Sequence, residues 1–256
     1  MNKGIWTLAA LGLAAISGAS PFAFVAKATW TIDNVDVATN AELPFSTTPF
    51  PPYSLAITPT NKLIAADPTG NLWNVTGPPI PMGSTGFTQI GDLDYGVGGL
   101  FGFSNANQTL FFFDLSSSSI TASWVFPALA ALSIEGVAYR PTDGAVFLSG
   151  HNGLNNDKLI QVDTTLSTAS LIGNVTISDA FSYVSDIDFD ASGNLIAMSW
   201  FHRDFYTVNT TTAATTLISS GPHRDANAMA IQSVPEPGTI GAIALGIVGL
   251  LKRRKR

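Results

Sequence analysis

A short pattern of strand, polar turn and strand recurs along this chain and constrains the fold more than any other feature. The clearest copies span residues 55–66, 137–148 and 187–198, each with Asn, Asp or Gly at the turn and a third strand shortly afterwards. Such residues favour the tight turns that connect antiparallel strands. A fourth strand follows two copies, at residues 169–172 and 215–218. Units of four antiparallel strands at intervals of about 37 to 50 residues predict the blades of a β-propeller.

The two ends of this region predict how the ring closes. A weaker copy runs from residue 99 to residue 126, and the final strand, at residues 228–231, has no following partners. The segment after Thr29 alternates suitably at Trp30–Ile32 and would complete the last sheet, which removes free sheet edges. We therefore expect an all-β domain over residues 29–233, a propeller of four or five blades. A β-sandwich, common in secreted adhesion modules, is the alternative fold.

The last 23 residues have the order of a signal that is handled at a membrane. Two prolines flank an acid at residues 235–237, and an apolar run of 14 residues follows, from Gly238 to Leu251. As a helix this run would reach about 21 Å, less than the ~30 Å of a hydrocarbon core. A short transmembrane segment at 238–251 is still expected, because long basic side chains can extend to the membrane surface. A terminal basic cluster would stay cytoplasmic and place the preceding domain on the far side of the membrane. It comprises Lys252, Arg253, Arg254, Lys255 and Arg256.

Together these elements resemble a PEP-CTERM sorting signal over about the last tenth of the chain. The resemblance assigns the recognition motif to Pro235, Glu236 and Pro237. It implies an exported protein that is processed by an exosortase, a membrane protease-transpeptidase. Because such tails accompany exopolysaccharide loci, it also implies a role in biofilms, with exopolysaccharide as a candidate partner. An ordinary tail anchor or a buried terminal helix is the alternative interpretation.

The N-terminal residues also indicate export. Lys3 precedes an apolar run from Ile5 to Ile16, and Ala26-Lys27-Ala28 has the small-x-small pattern of a cleavage site. This order predicts a helical signal peptide over residues 1–28 that is cut after Ala28. An uncleaved N-terminal anchor is the alternative, although the apolar run is short for one.

Charge and cysteine content exclude two classes of function. Between residues 29 and 233 the chain has five basic and seventeen acidic residues, a formal charge of −12. Nucleic-acid binding requires a basic face, so no nucleic-acid partner is expected. The chain has no cysteine, which excludes disulfides and thiol chemistry.

Three residues at similar points of the repeat are candidates for a metal site. Asp67, His151 and His202 each follow the second strand of a unit, and equivalent positions of different blades can converge near the axis of a propeller. Two imidazoles and a carboxylate would suit a divalent transition metal. A metal-dependent propeller hydrolase or lactonase is therefore one interpretation, and ordinary hydrogen-bonded histidines are the other.

Two further motifs have simpler explanations. Alternating carboxylates at Asp186, Asp188 and Asp190 share one face of a strand and could bind Ca²⁺, but the apolar residues between them favour a strand with Asp190 opening the turn. The tripeptide His202-Arg203-Asp204 recurs at residues 223–225, and local charge pairing is expected to account for it. No cofactor is implied by either motif.

The sequence thus predicts an exported protein of the cell envelope, the cell surface or the extracellular space, held transiently in the membrane by its C terminus. The passenger domain is expected to be a non-enzymatic interaction module of the surface or matrix. The metal-dependent hydrolase is the alternative function.

Overall fold

The computed structural model describes residues 21–154, 156–178, 182–222 and 225–232. Over these residues the chain forms a five-bladed β-propeller, so the predicted all-β class is confirmed and the β-sandwich alternative is wrong. The only helix in this part of the chain is a single 3-10 turn at Pro127–Leu129, after a blade has ended. Residues 1–20 of the predicted signal-peptide helix and the whole predicted C-terminal helix lie outside the described residues. Residues 22–27, which were predicted to belong to the signal peptide, form a β-strand.

Twenty strands form five antiparallel sheets in the described part of the chain, each with four strands. Blade I is built from both ends of this region: β20 (Ala226–Gln232), β1 (Phe22–Lys27), β2 (Thr31–Asp36) and β3 (Glu42–Thr47). Blade II contains β4 (Leu55–Ile57), β5 (Leu63–Ala66), β6 (Asn71–Asn74) and β7 (Ile80–Ser84). Blade III contains β8 (Ile90–Gly96), β9 (Gly99–Ser104), β10 (Thr109–Asp114) and β11 (Ser119–Val125). Blade IV contains β12 (Ser133–Arg140), β13 (Ala145–His151), β14 (Asp157–Asp163) and β15 (Thr168–Val175). Blade V contains β16 (Val184–Phe189), β17 (Leu195–Ser199), β18 (Phe205–Val208) and β19 (Thr215–Ser219).

The first strand of every blade lies at the axis of the ring. Strands β4, β8, β12, β16 and β20 contact one another in that order, and β20 contacts β4, which completes the circle. Each of five apolar clusters fills the space between two neighbouring blades. The hydrophobic core is therefore divided among the blade interfaces, and every blade is stabilised by both of its neighbours.

How deeply a strand is buried depends on its position in the blade. β9 and β16, in the inner half of their blades, are buried at all six positions because adjacent blades cover both of their faces. The outermost strands β11, β15 and β19 are largely exposed or half-buried and are rich in Ser and Thr. This difference explains why the inner strands were the easier ones to recognise as apolar runs in the sequence.

The ring closes through β1, which was not the expected segment. β20 pairs with β1 in antiparallel register, with Phe22 opposite Gln232 and Ala26 opposite Ala228. The expected partner, Trp30–Ile32, instead contributes to β2, one strand further out. The physical reason is burial: the run Ala23–Ala26 is apolar on both faces, as a strand between β20 and β2 must be.

A buried arginine joins the last blade to the first. The guanidinium of Arg203 is fully buried and donates to Asn40 Oδ1 at 2.8 Å and to the carboxylate of Glu42. The side-chain amide of Asn40 donates back to the carbonyl of Arg203 at 2.8 Å, and Lys27 of β1 lies 3.1 Å from the same Glu42 carboxylate. The expected local charge pairing within residues 202–204 is therefore wrong, since Glu42 lies 161 residues from Arg203 in sequence.

Candidate binding site at the mouth of the ring

Several aromatic and charged groups meet at one end of the ring axis, which we call the mouth. Tyr53 and Tyr183 precede the axial strands β4 and β16, and Tyr53, Glu135, Asp157 and Asp225 all lie close enough to Tyr183 to interact with it electrostatically. Burial raises the pKa of Tyr183, and the negative charge of Glu135 and Asp157 raises it further. We call Glu135, His151, Asp157, Tyr183 and Trp200 the mouth cluster.

Three rings of the mouth cluster are stacked across blades IV and V. The imidazole of His151 lies 4.2 Å from the ring of Tyr183, with 19° between their planes. Tyr183 also stacks on Trp200, at 5.5 Å and 8°. The backbone reinforces this arrangement, because the N–H of Trp200 donates to the carbonyl of Tyr183 at 3.0 Å. Phe201 and His202 continue the series of rings at 6.0 and 4.9 Å.

A carboxylate holds the imidazole at the edge of this stack. Nε2 of His151 lies 3.6 Å from Oε1 of Glu135, and the hydroxyl of Ser133 donates to the same oxygen at 2.5 Å. The adjacent carboxylate of Glu135 raises the pKa of His151, although partial burial opposes the charged form. His151 therefore holds a proton more readily than a free imidazole and can donate hydrogen bonds near neutral pH.

Asp157 is a second carboxylate, opposite His151 in the register of β13 and β14. Its Oδ1 accepts the N–H of Val184 at 2.9 Å, whereas Oδ2 is buried with no hydrogen-bond partner among the described residues. Burial raises the pKa of Asp157 to about 6. The mouth cluster thus combines flat, half-buried aromatic surface with groups that accept and donate hydrogen bonds, which suits a ligand with both apolar faces and hydroxyl groups.

The structure does not bring the three candidate metal ligands together. Asp67 lies in the turn of blade II, where its carboxylate accepts the N–H groups of Thr69 and Asn71 at 2.9 and 3.0 Å. Burial opposes its charge, but these hydrogen bonds outweigh that effect and lower the pKa of Asp67 to about 2. His151 and His202 lie in blades IV and V. Within the described ranges no three acidic or histidine side chains are grouped so that they could hold a metal ion, so the metal site stays a prediction.

Four aspartates inside the ring were only partly recognised from the sequence. Asp186 and Asp188 share one face of β16, as expected for a strand, and accept the N–H groups of Met229 and Ile231 at 2.5 and 2.6 Å. Asp190 opens the following turn, also as expected: its Oδ1 accepts the N–H of Ser192 at 2.9 Å. The bonds of Asp186 and Asp188 satisfy backbone groups of β20, so these two carboxylates connect axial strands of neighbouring blades.

A second pair of aspartates, on β8, was not predicted from the sequence. Asp92 and Asp94 accept the N–H groups of Val137 and Tyr139 on β12, at 2.8 and 2.6 Å. Burial raises the pKa of Asp94 to about 7. Burial and the charge of Asp186 raise the pKa of Asp92, which faces that residue. The repeated Asp-x-Asp spacing was the available signal, and it was overlooked because blade III appeared to begin at Gly99.

The C terminus matches a known family. Residues 233–256 match the PEP-CTERM protein-sorting motif. The chain carries a PEP-CTERM sorting signal. This signal implies processing by an exosortase, association with a membrane, and export to the cell envelope or the cell surface.

Solved structures show the fold of the passenger domain only. A chain from the structure titled "Crystal structure of Nidogen/Laminin Complex" superposes with a TM-score of 0.59 at 10% identity, covering 83% of this chain and 98% of that one. Because 861 solved chains match, the likeness identifies an architecture and not a function. No curated protein sequence matches the chain.

The PEP-CTERM signal begins where the propeller ends. Strand β20 ends at Gln232, and the motif starts at the next residue. The recognition residues Pro235, Glu236 and Pro237, the apolar segment 238–251 and the basic cluster 252–256 lie outside the described residues. In the part of the chain that is described, no helix is both long and apolar enough to cross a membrane.

Proposed function

We propose that this chain is a protein of the cell surface or extracellular matrix that is sorted by an exosortase-type protease, and that its propeller is a non-enzymatic module that binds polysaccharide. A secretion signal at the N terminus starts export. The apolar segment 238–251 holds the chain in the membrane for a time, while the basic residues 252–256 remain cytoplasmic. The observation that carries this proposal is the PEP-CTERM motif directly after strand β20.

The mouth cluster supports a carbohydrate ligand. The rings of His151, Tyr183 and Trp200 are half-buried at the mouth, and sugar rings pack their C–H groups against the parts of such an aromatic surface that the stack leaves exposed. Glu135 lies beside them and can accept hydrogen bonds from hydroxyl groups. The abundance of carboxylates at the mouth repels anionic polymers. We therefore propose a neutral or amino-substituted polysaccharide as the ligand class.

The direction of β20 gives the module an orientation. Asp225 lies at the mouth end, beside Tyr183, whereas Gln232 lies at the opposite end of the strand. Seven strand residues span roughly 23 Å. A membrane-held tail that starts at residue 233 therefore leaves the face of the ring opposite the mouth. The mouth would point away from the membrane, where an extracellular polymer is accessible.

Binding is tested by affinity electrophoresis in gels that contain a neutral glucan, chitosan or alginate. The wild type is expected to be retarded by the glucan or chitosan and not by alginate. Tyr183→Ala removes the central ring of the stack, and we expect its apparent affinity to fall about tenfold, a loss of about 1.4 kcal/mol. Phe45→Ala is the matched control, since Phe45 is also partly exposed but lies on the outer strand β3; it is expected to bind like the wild type.

The same samples distinguish binding from hydrolysis. A non-enzymatic module releases no reducing ends from any of the three polymers, with or without added divalent metal. Metal-dependent release of reducing ends that is lost in His151→Ala would contradict the proposal and support the hydrolase. Equal retardation of wild type and Tyr183→Ala would show that the mouth is not the binding surface.

A further inference from the structure

Strand β1 lies in the interior of blade I, within the segment that the sequence pattern assigns to the leader. It pairs with β20 on one side and with β2 on the other. The side chains of Ala23, Val25 and Ala26 are completely buried. Val25 and Ala23 pack in the apolar cluster between blades V and I, and Phe24 and Ala26 pack in the cluster between blades I and II. Both faces of β1 therefore belong to the core.

The cleavage-site pattern Ala26-Lys27-Ala28 is itself built into this blade. The side chain of Lys27 is 12% exposed, and its ammonium group pairs with the carboxylates of Asp33 and Glu42. The carbonyl of Lys27 accepts the N–H of Trp30 at 3.0 Å in the turn to β2. Glu42 is also the carboxylate that receives Arg203 from blade V. Lys27 thus takes part in the network that joins the first and last blades.

A cut after Ala28 would remove this strand from the mature protein. β20 would then lose its partner within the sheet, and β2 would present an open edge. Asp33 and Glu42 would lose the ammonium group that pairs with both of them. The blade that closes the ring would be divided, with β20 separated from β2 and β3 by the width of the missing strand.

We propose that the leader is cut upstream of Phe22, so that β1 stays in the mature protein and the pattern at residues 26–28 is structural. This inference rests on the proposed export of the chain. A second small-x-small triplet, Ser17-Gly18-Ala19, directly follows the apolar run that ends at Ile16, which is the usual order of a leader. We therefore place the cut within residues 17–21. The mature chain would begin beside Gln232, at the face of the ring opposite the mouth.

The N terminus of the exported protein tests this placement. The full chain is expressed in a Gram-negative host, recovered from the periplasmic or extracellular fraction, and analysed by N-terminal sequencing and intact mass. We expect a first residue between Gly18 and Phe22. Ala28→Leu changes the exposed last residue of the triplet Ala26-Lys27-Ala28. We expect this variant to have the same N-terminal residue and the same yield as the wild type. Ala19→Leu is expected to accumulate uncut precursor, since it blocks the upstream site.

The contrary result is equally clear. A mature protein that begins at Thr29, with processing blocked by Ala28→Leu and unaffected by Ala19→Leu, would overturn the placement of the cut. Such a result would leave the proposed export intact, because the protein would still be recovered outside the cytosol. Recovery of the chain from the cytosol alone would instead count against the proposed function.

Discussion

Arg203 illustrates a residue whose role depends on a distant partner. Its guanidinium is fully buried between blades V and I, on Asn40 and Glu42. Arg203→Ala should lower the free energy of unfolding by about 3 kcal/mol, because it leaves polar groups buried without their partner. Chemical denaturation followed by tryptophan fluorescence measures this loss. Lys62→Ala removes an exposed cation and should change stability by less than about 0.5 kcal/mol.

The contribution of the Glu42–Arg203 pair to the free energy of unfolding should decrease at low pH. Burial opposes the charge of Glu42, but hydrogen bonds from Arg203 and Lys27 lower its pKa from 4.5 to about 2. A depressed pKa stabilises the fold above the unfolded pKa, and that stabilisation is lost as the pH falls through the folded one. The difference between wild type and Arg203→Ala should therefore shrink between pH 4.5 and pH 2. A constant difference would show that packing, and not charge, dominates.

The aspartates of the ring interior have the opposite dependence. Burial raises the pKa values of Asp92 and Asp186, and raises that of Asp94 to about 7. A raised carboxyl pKa stabilises the fold below the unfolded pKa, and that stability is lost as the pH rises through the folded pKa. For Asp94 the free energy of unfolding should therefore decrease as the pH rises from the ordinary aspartate pKa of 3.8 to about 7.

Asp92→Asn tests this dependence. The amide can accept the N–H of Val137, as Asp92 does, and can donate to Asp186 without a titratable proton. We expect the variant to be more stable than the wild type at pH 8 by about 1 to 2 kcal/mol, and similar to it at pH 5. Asp114→Asn is the surface control, because Asp114 is on the outward part of blade III and should leave the slope between pH 5 and pH 9 unchanged. Parallel wild-type and Asp92→Asn curves would contradict the account.

The β8–β9 hairpin contains a turn residue that does not suit its conformation. Val97 and Gly98 form a two-residue turn in which both φ angles are positive, 53° and 87°. This turn type favours Asn-Gly, and a β-branched residue is strained there. Val97 is 72% exposed, so its side chain adds little packing. Val97→Asn should therefore raise the free energy of unfolding by about 1 kcal/mol, measured by denaturation.

The same substitution in a strand is the control. Val125 is also exposed, at the end of β11, where the extended conformation favours valine. Val125→Asn should be neutral or slightly destabilising. If both substitutions changed stability in the same direction, the turn conformation would not be the cause.

At the level of elements, the sequence predicted strands wherever burial imposed a clear pattern. Strands β5 and β17 form the second half of the predicted copies at residues 55–66 and 187–198, and β18 is the third strand predicted shortly after the last copy, because each combines apolar residues with flanking turn residues. β3 and β7 were missed because both are largely exposed and contain a proline. β1 was missed because an apolar run near the N terminus also fits a leader, and only the pairing with β20 distinguishes the two.

At the level of the whole molecule, the repeat predicted the propeller, but the site could not be predicted in full. His151 was selected for its place in the repeat, whereas Glu135, Asp157 and Tyr183 carried no local signal. Tyr183 becomes part of the site only because blades IV and V pack together and place it between His151 and Trp200. Contacts of this kind depend on how the blades are arranged around the axis, which the spacing of a single unit does not specify.

The central claim is that the propeller is cargo sorted through the PEP-CTERM signal at its end. Cell fractionation tests this claim most directly, with wild type and Glu236→Ala expressed in a bacterium that has an exosortase. We predict that the wild type reaches the surface or the medium in processed form, while Glu236→Ala accumulates unprocessed in the membrane. Glu135→Ala, the same change at the mouth, should be processed like the wild type. Identical fates for wild type and Glu236→Ala, or an intact chain in the cytosol, would contradict the account.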